Sequence, residues 1–235
     1  MKREIDFKTM TDGKRYRSDD MAKLGCGGCK GCSECCSDQA VMIVLTPYDM
    51  AQLTKKTGKN FDTLYSEGRI RLNTVDGLIL PGLGIKNGST QGGNVLRESS
   101  VGTASSRDTC VFLGEDGRCS IHDARPDICR LFPLARLYED EGFSYILQTG
   151  ECPMADGVKV RISKWLDLPE LKSYEKWMLE YHGLLTNVRA ALSEYDDESM
   201  KQKINIGFLN LFFRTPYDEA RPFFEQYKER AERMI

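Results

Sequence analysis

The chain lacks any long apolar run. Its longest are Val41 to Leu45 and Phe208 to Phe213, the latter with a polar interruption, far short of the roughly 18 to 20 residues that a bilayer-spanning helix needs. Met1 to Lys23 alternates charged and polar residues and has no apolar core of the kind a secretory signal requires. Neither sign of charge dominates: 33 Lys and Arg face 35 Asp and Glu, for a net charge of −2, which argues against a dedicated nucleic-acid binder. No catalytic acid–base pair, nucleophile constellation or nucleotide fingerprint stands out. The 235 residues, 40% of them hydrophobic, suit one soluble domain, or one domain with a helical extension. Without an export segment, and with thiols that must stay reduced, the expected compartment is the cytoplasm. Neither a membrane nor a nucleic acid is an expected partner.

Cysteine is what the chain has in quantity. Five of its nine cysteines, Cys26, Cys29, Cys32, Cys35 and Cys36, fall within eleven residues. Cysteines spaced two apart turn the backbone so that successive sulfurs converge, and glycines at 25, 27, 28 and 31 permit such a knuckle. A disulfide framework suits short secreted chains and fits poorly here, since the cysteine count is odd and the chain is long enough to bury a core without staples. Two metal readings stay open. Cys26, Cys29, Cys32 and Cys36 reproduce the C-x2-C-x2-C-x3-C run of bacterial ferredoxins, with Ser37 where those have proline. A single zinc ion would draw two separated pairs, and adjacent Cys35 and Cys36 would strain to share it, whereas in an iron–sulfur cluster each thiolate can take a different iron. The lean is to iron–sulfur, [4Fe-4S] in one or two copies, with zinc as the alternative.

The expected fold is α+β, mostly helical, with short strands and long irregular cysteine-bearing loops around a metal site and helices at the C-terminus. Residues 1 to 24 read as an irregular, charged lead-in. Ala40 to Leu45 reads as a buried strand. Thr46-Pro47-Tyr48-Asp49 has the signature of a capped helix start, predicting a helix to about Thr57 that stops at Gly58, and a second helix over Phe61 to Gly68. Gly77 to Ser106 is rich in glycine, serine and asparagine, with Leu78 to Leu80 as its strand. Its Gly82-x-Gly84-x-x-x-Gly88 pattern lacks the lysine and strand-turn-helix context of a phosphate cradle, and a loop of this length is often a lid.

A second cysteine block follows. Cys110 to Cys119 reads as a hairpin turning at Glu115-Asp116-Gly117, which would set its two cysteines opposite one another. Cys129 and Cys152 complete the set. From Ser163 the composition turns helical: Trp165, Leu168, Leu171, Tyr174, Trp177, Met178 and Tyr181 recur at threes and fours, and Leu184 to Leu192 continue the stripe. Met200 to Phe213 reads as a further helix, and another is predicted to start with Thr215 as cap and Pro216 as first residue. These stripes are core, and His182 among them is a packed or surface residue. The expected division is residues 1–160 as a cysteine-cluster domain and 161–235 as a helical extension packed on it, through which a protein partner could dock.

Cys29-x2-Cys32-x2-Cys35-Cys36, Ile43 to Asp49, Cys110-x-Phe-Leu, Cys119-x-Ile-His122, Arg125-Pro126-x-x-Cys129-Arg130 and Phe132-Pro133 together resemble the YkgJ-type cysteine-cluster family, over roughly residues 26 to 153. The resemblance implies chelation of zinc or iron by eight cysteines. One branch, flagellin lysine N-methylase, implies an enzyme as the alternative: a protein lysine N-methyltransferase or an oxidoreductase. Cys26 is extra to the family's CxxCxxCC core, and His122 stands where tyrosine is common, which speaks for packing rather than ligation. Four thiolates on Zn²⁺, or on an oxidised [4Fe-4S] core, leave about two negative charges. Arg125 and Arg130 are therefore read as cofactor-binding through bonds to sulfurs or nearby carbonyls. Cys29, Cys32, Cys36, Cys110, Cys119, Cys129 and Cys152 are expected to converge in space.

Overall fold

The computed structural model describes residues 7–25, 32–37, 43–86, 108–140 and 142–234. Helix and strand mix, and the strands pair in small two-stranded antiparallel sheets. In chain order come α1 (Phe7–Met10), β1 (Met21–Lys23), α2 (Glu34–Ser37), α3 (Pro47–Thr57), α4 (Phe61–Ser66), β2 (Ile70–Val75), β3 (Leu78–Leu83), β4 (Ile85–Lys86) and β5 (Thr109–Cys110). A 3-10 turn (His122–Ala124) precedes α5 (Asp127–Leu131), β6 (Leu134–Glu139), β7 (Gly142–Leu147) and β8 (Lys159–Arg161). The rest is helical: α6 (Ile162–Leu166), α7 (Leu171–Glu194), α8 (Glu198–Leu209) running into a π turn (Asn210–Arg214), and α9 (Phe223–Ala231). No helix among the described residues is long and apolar enough to cross a membrane.

Helix α3 begins as its sequence predicts. The Thr46 hydroxyl accepts from the Asp49 N–H, the Asp49 carboxylate accepts from the Thr46 N–H, and Gly58 closes the far end in the left-handed region. Helix α4 also lies where expected, and the strand expected at Leu78 forms β3. Of the strand expected over Ala40 to Leu45, residues 40–42 lie outside the described residues. The remainder runs along β3, with Val44 bridged to Gly82 and the Leu45 N–H donating to the Pro81 carbonyl at 2.8 Å.

Three expectations are corrected. Residues 7–25 are not an irregular lead-in: β1 pairs with β8, and Thr11 and Tyr16 bridge to Gln148 and Tyr145, because Ala22 and Leu24 have a core to enter. Cys110 does not face Cys119 across a hairpin. It pairs with Ile85, and Leu113 instead lies opposite Cys119, because the carbonyl of Gly84 accepts from Val111 and commits that strand to β4. The helix expected at Pro216 begins only at Phe223. Residues 215–222 are held out of it by Arg230, which donates to the carbonyls of Leu211, Thr215 and Pro216, and by Gln226, which bonds the backbone of Asp218 both ways. Gly82 and Gly84, whose pattern already lacked the context of a phosphate cradle, serve close packing: a Cβ on Gly84 would stand 1.9 Å from the Gly68 carbonyl oxygen and one on Gly82 would stand 2.6 Å from that of Ile43. Gly88 and most of the expected lid lie outside the described residues.

Two cores result. The larger gathers Leu45, Met50, Leu53, Leu64, Leu80 and Leu83 with Tyr174, Trp177 and Tyr181 of α7, Phe208 and Phe212 of α8 and the π turn, and Tyr227 of α9. The smaller joins Ala22, Leu24, Leu131, Leu134, Tyr145, Leu147, Ile162 and Leu166. Phe143 and Leu168 touch both, and α5 lies at the junction.

Candidate metal centre

Six cysteines from four separate stretches of chain line one cavity of about 520 Å³: Cys32, Cys35, Cys36, Cys110, Cys119 and Cys129. Each stretch is placed by its own local structure. The short helix α2 carries Cys35 and Cys36 and packs against β5, which carries Cys110. Cys110 is buried by its pairing with β4. Cys119 follows the turn closed by Gly114 and Arg118, and is steadied by Ser120, whose N–H and hydroxyl both bond the Phe112 carbonyl. Cys129 sits in the middle of α5. All six are free thiols. Ile43, Leu83, Ile121, Ile128, Phe132 and Trp165 supply the apolar wall, and Arg118, His122 and Arg125 are the lining residues that can carry positive charge. Among the described residues no carboxylate lines the cavity, although the chain carries 35.

The thiols interact. The hydrogen bond from Cys36, helped by the Arg125 charge, lowers Cys35 to about 7, and the same bond together with burial drives Cys36 upward. Burial raises Cys110 and Cys119, and it raises Cys129 well above the ordinary thiol range, with Cys110 and Asp49 adding to it. Buried thiolates repel one another unless a cation lies between them. This donor set of soft sulfurs without carboxylates is the one that zinc and iron–sulfur clusters select. The thiols are nonetheless spread over the wall: among the described residues no three Cys, His, Asp or Glu side chains stand together as a ready site for one ion.

The other expected residues are placed as follows. Cys26 and Cys29 lie outside the described residues. Cys152 is half-buried in the turn after β7 and is not a lining residue. Arg125 lines the cavity, near enough to Cys35 and Cys119 to favour their thiolates, with Nη1 3.4 Å from Nε2 of His122. His122 is exposed as a residue but its ring is partly covered, and that covering and the Arg125 charge push it down. Arg130 points away from the sulfurs into backbone: its guanidinium donates to the carbonyls of Leu166, Asp167 and Asp123 at 2.9 to 3.2 Å. His182 stacks on Tyr138 with ring centroids 3.8 Å apart.

Sequence reasoning missed the polar network behind Cys129. Asp127, at the first turn of α5, receives both terminal nitrogens of Arg136 at 2.5 and 2.7 Å and the Tyr174 hydroxyl at 2.7 Å, and its own N–H donates to the Asp49 carboxylate at 2.9 Å. Both side chains of the ion pair are only 5% exposed. The local signals were present: Asp127 follows Arg-Pro, and Arg136 sits alone among the apolar residues of Leu134 to Leu137.

A family model described as "CxxCxxCC: Putative zinc- or iron-chelating domain" matches residues 28–153. No curated protein matches the chain, and no solved structure does. The matched segment contains every cysteine that lines the cavity, together with Asp49, Asp127 and Arg136, and it ends before α6.

Proposed function

The chain belongs to the CxxCxxCC family of zinc- or iron-chelating domains, and we propose that its thiol-lined cavity holds an iron–sulfur centre serving structure or electron transfer. The observation that carries this reading is the convergence of six free cysteines from distant parts of the chain on one cavity with no carboxylate among its described lining residues. One structural zinc ion takes four protein ligands, and six thiols line this cavity, more than a single ion uses. A cavity of that volume lined by that many sulfurs suits an object larger than one ion. When bound, such a cluster supplies one-electron transfer and ties four segments of chain together.

The protein's own groups then have definite tasks. Cys35, lowered to about 7 by the bond from Cys36, is the thiol most ready to give up its proton. Arg118 and Arg125 offset the negative charge left by four thiolates. Ile128, Phe132 and Trp165 supply apolar lining beside the thiols. Thiols in this state belong in a reducing compartment such as the cytoplasm. The comparisons give the methyltransferase alternative no support.

The test is anaerobic purification followed by the visible spectrum and by iron, zinc and sulfide quantification. About four iron and four sulfide per chain, with charge-transfer absorption, is the expected result for one cluster. Zinc without sulfide overturns the iron–sulfur assignment, and a chain that retains neither metal overturns the metal centre itself.

A further inference from the structure

Helix α5 is only five residues long, yet each side of it is tied to a different C-terminal helix by a buried polar group. On one side Asp127 takes the Tyr174 hydroxyl of α7 at 2.7 Å and the fork of Arg136. The Arg136 guanidinium lies 5.4 to 5.8 Å from the ring centroids of Phe143, Tyr145 and Tyr174, so its position is set by three aromatic walls as well as by the carboxylate. On the other side Arg130 holds the carbonyls of Leu166 and Asp167 at the end of α6. Cys129 lies between them, two residues from one anchor and one residue from the other, facing the cavity. A helix this short has little stability of its own, so its orientation is whatever these anchors impose.

We propose that Asp127, Arg136 and Tyr174 are positioning residues for Cys129, through which helix α7 sets the placement of a thiol of the metal site. The inference rests on the reading of that cavity as the metal centre. It goes further in giving the C-terminal helices, which lie beyond the family-matched segment, a direct hold on one proposed ligand. Breaking the network frees α5 to rotate or fray locally, exposing Cys129 while Cys110 and Cys119, held by separate backbone bonds, stay as they are.

The full chain is compared with Tyr174→Phe, Asp127→Asn and Arg136→Lys, and with Gln226→Ala as a control that loosens a buried polar tie at α9. Two quantities are read: metal retained on purification, and the iodoacetamide alkylation rate of each cysteine after chelator treatment, resolved by peptide mass spectrometry. Tyr174→Phe, which removes one hydroxyl and keeps the ring, is expected to raise Cys129 alkylation relative to Cys110 and Cys119 by about tenfold, the ratio that a lost hydrogen bond to a charged group gives in a local opening equilibrium. Arg136→Lys keeps the charge but loses the fork, and should fall between Tyr174→Phe and Asp127→Asn. Gln226→Ala should leave the ratio unchanged even where it lowers the melting temperature. An unchanged ratio in Tyr174→Phe, or an equal change in Gln226→Ala, overturns the proposal. If the wild-type chain retains no metal, the metal reading fails, while the alkylation ratio still decides whether α7 positions Cys129.

Discussion

Asp49 does two jobs with one carboxylate, since its oxygens accept the N–H groups of Thr46 and Asp127 and so join the start of α3 to the start of α5. Burial and the neighbouring Asp127 charge push it up to about 7. A carboxyl group raised in the folded state binds its proton more tightly there than in the unfolded chain, so folding takes up a proton between about pH 4 and 7. The stability this adds is fully present below about pH 4 and is lost as pH rises through 7. Asp127 contributes outside that window: burial raises it, but the Arg136 charge and the bonds from Arg136 and Tyr174 prevail and hold it below the usual carboxylate range. Urea midpoints for the wild type and Asp49→Asn at pH 5 and 8 isolate the effect. The variant starts less stable, having one oxygen where two N–H groups need acceptors, and it should lack this component of the slope. Equal slopes would remove Asp49 as the titrating group.

At the scale of elements, the β2–β3 hairpin shows how close packing around the site was achieved. Asp76 and Gly77 both adopt positive φ, at 50° and 79°, as a tight two-residue hairpin turn requires. At its other end β3 passes so near the turn after α4 that the Gly84 N–H donates to the Arg69 carbonyl at 2.8 Å. That approach leaves no room for a side chain, and from there Gly84 also accepts from Val111, next to Cys110. Gly84→Ala should therefore cost about 3 kcal/mol or more, because the nearest obstructing atom is the Gly68 carbonyl oxygen, which is backbone and cannot swing aside. Gly58→Ala, in the left-handed region with open space around it, should cost only about 1 kcal/mol. Denaturant titration of the two variants measures the contrast, and equal losses would show that strand and turn can separate at little cost.

Across the whole molecule, the two cores meet near α5, and the cavity lies where the short cysteine-bearing segments come together. Those segments are two to five residues of regular structure each, too short to order themselves without their neighbours. Metal binding and folding should then be linked, because ligands that gather only in the folded chain convert binding energy into folding energy. Removing the metal by chelation, or substituting Cys32→Ser, should lower the melting temperature by roughly 10 °C, given that 1 kcal/mol moves a domain of this size by about 2 to 4 °C. A chelated chain that melts at the same temperature with the same cooperativity would show that the centre carries none of the fold.

What could be read from residue order alone was whatever depends on neighbours within a turn or two. The cap at Thr46, the stop at Gly58, the strand at Leu78 and the apolar stripe of α7 are local effects of hydrogen bonding and periodicity, and the structure repeats them. The Asp76-Gly77 hairpin and the β6–β7 pair were equally local, and their signals went unread. The grouping of cysteines was legible as chemistry, since so many thiols leave few readings besides metal. Their partners were not. Whether Cys110 faces Cys119 or Ile85 depends on which backbone arrives at its edge, and the carbonyl of Gly84 arrives first. That Arg130 serves backbone carbonyls while Arg136 closes on Asp127 was decided by burial. A guanidinium out of water must satisfy its donors with whatever carbonyls and carboxylates the packed helices bring within reach, and only the tertiary structure determines which those are.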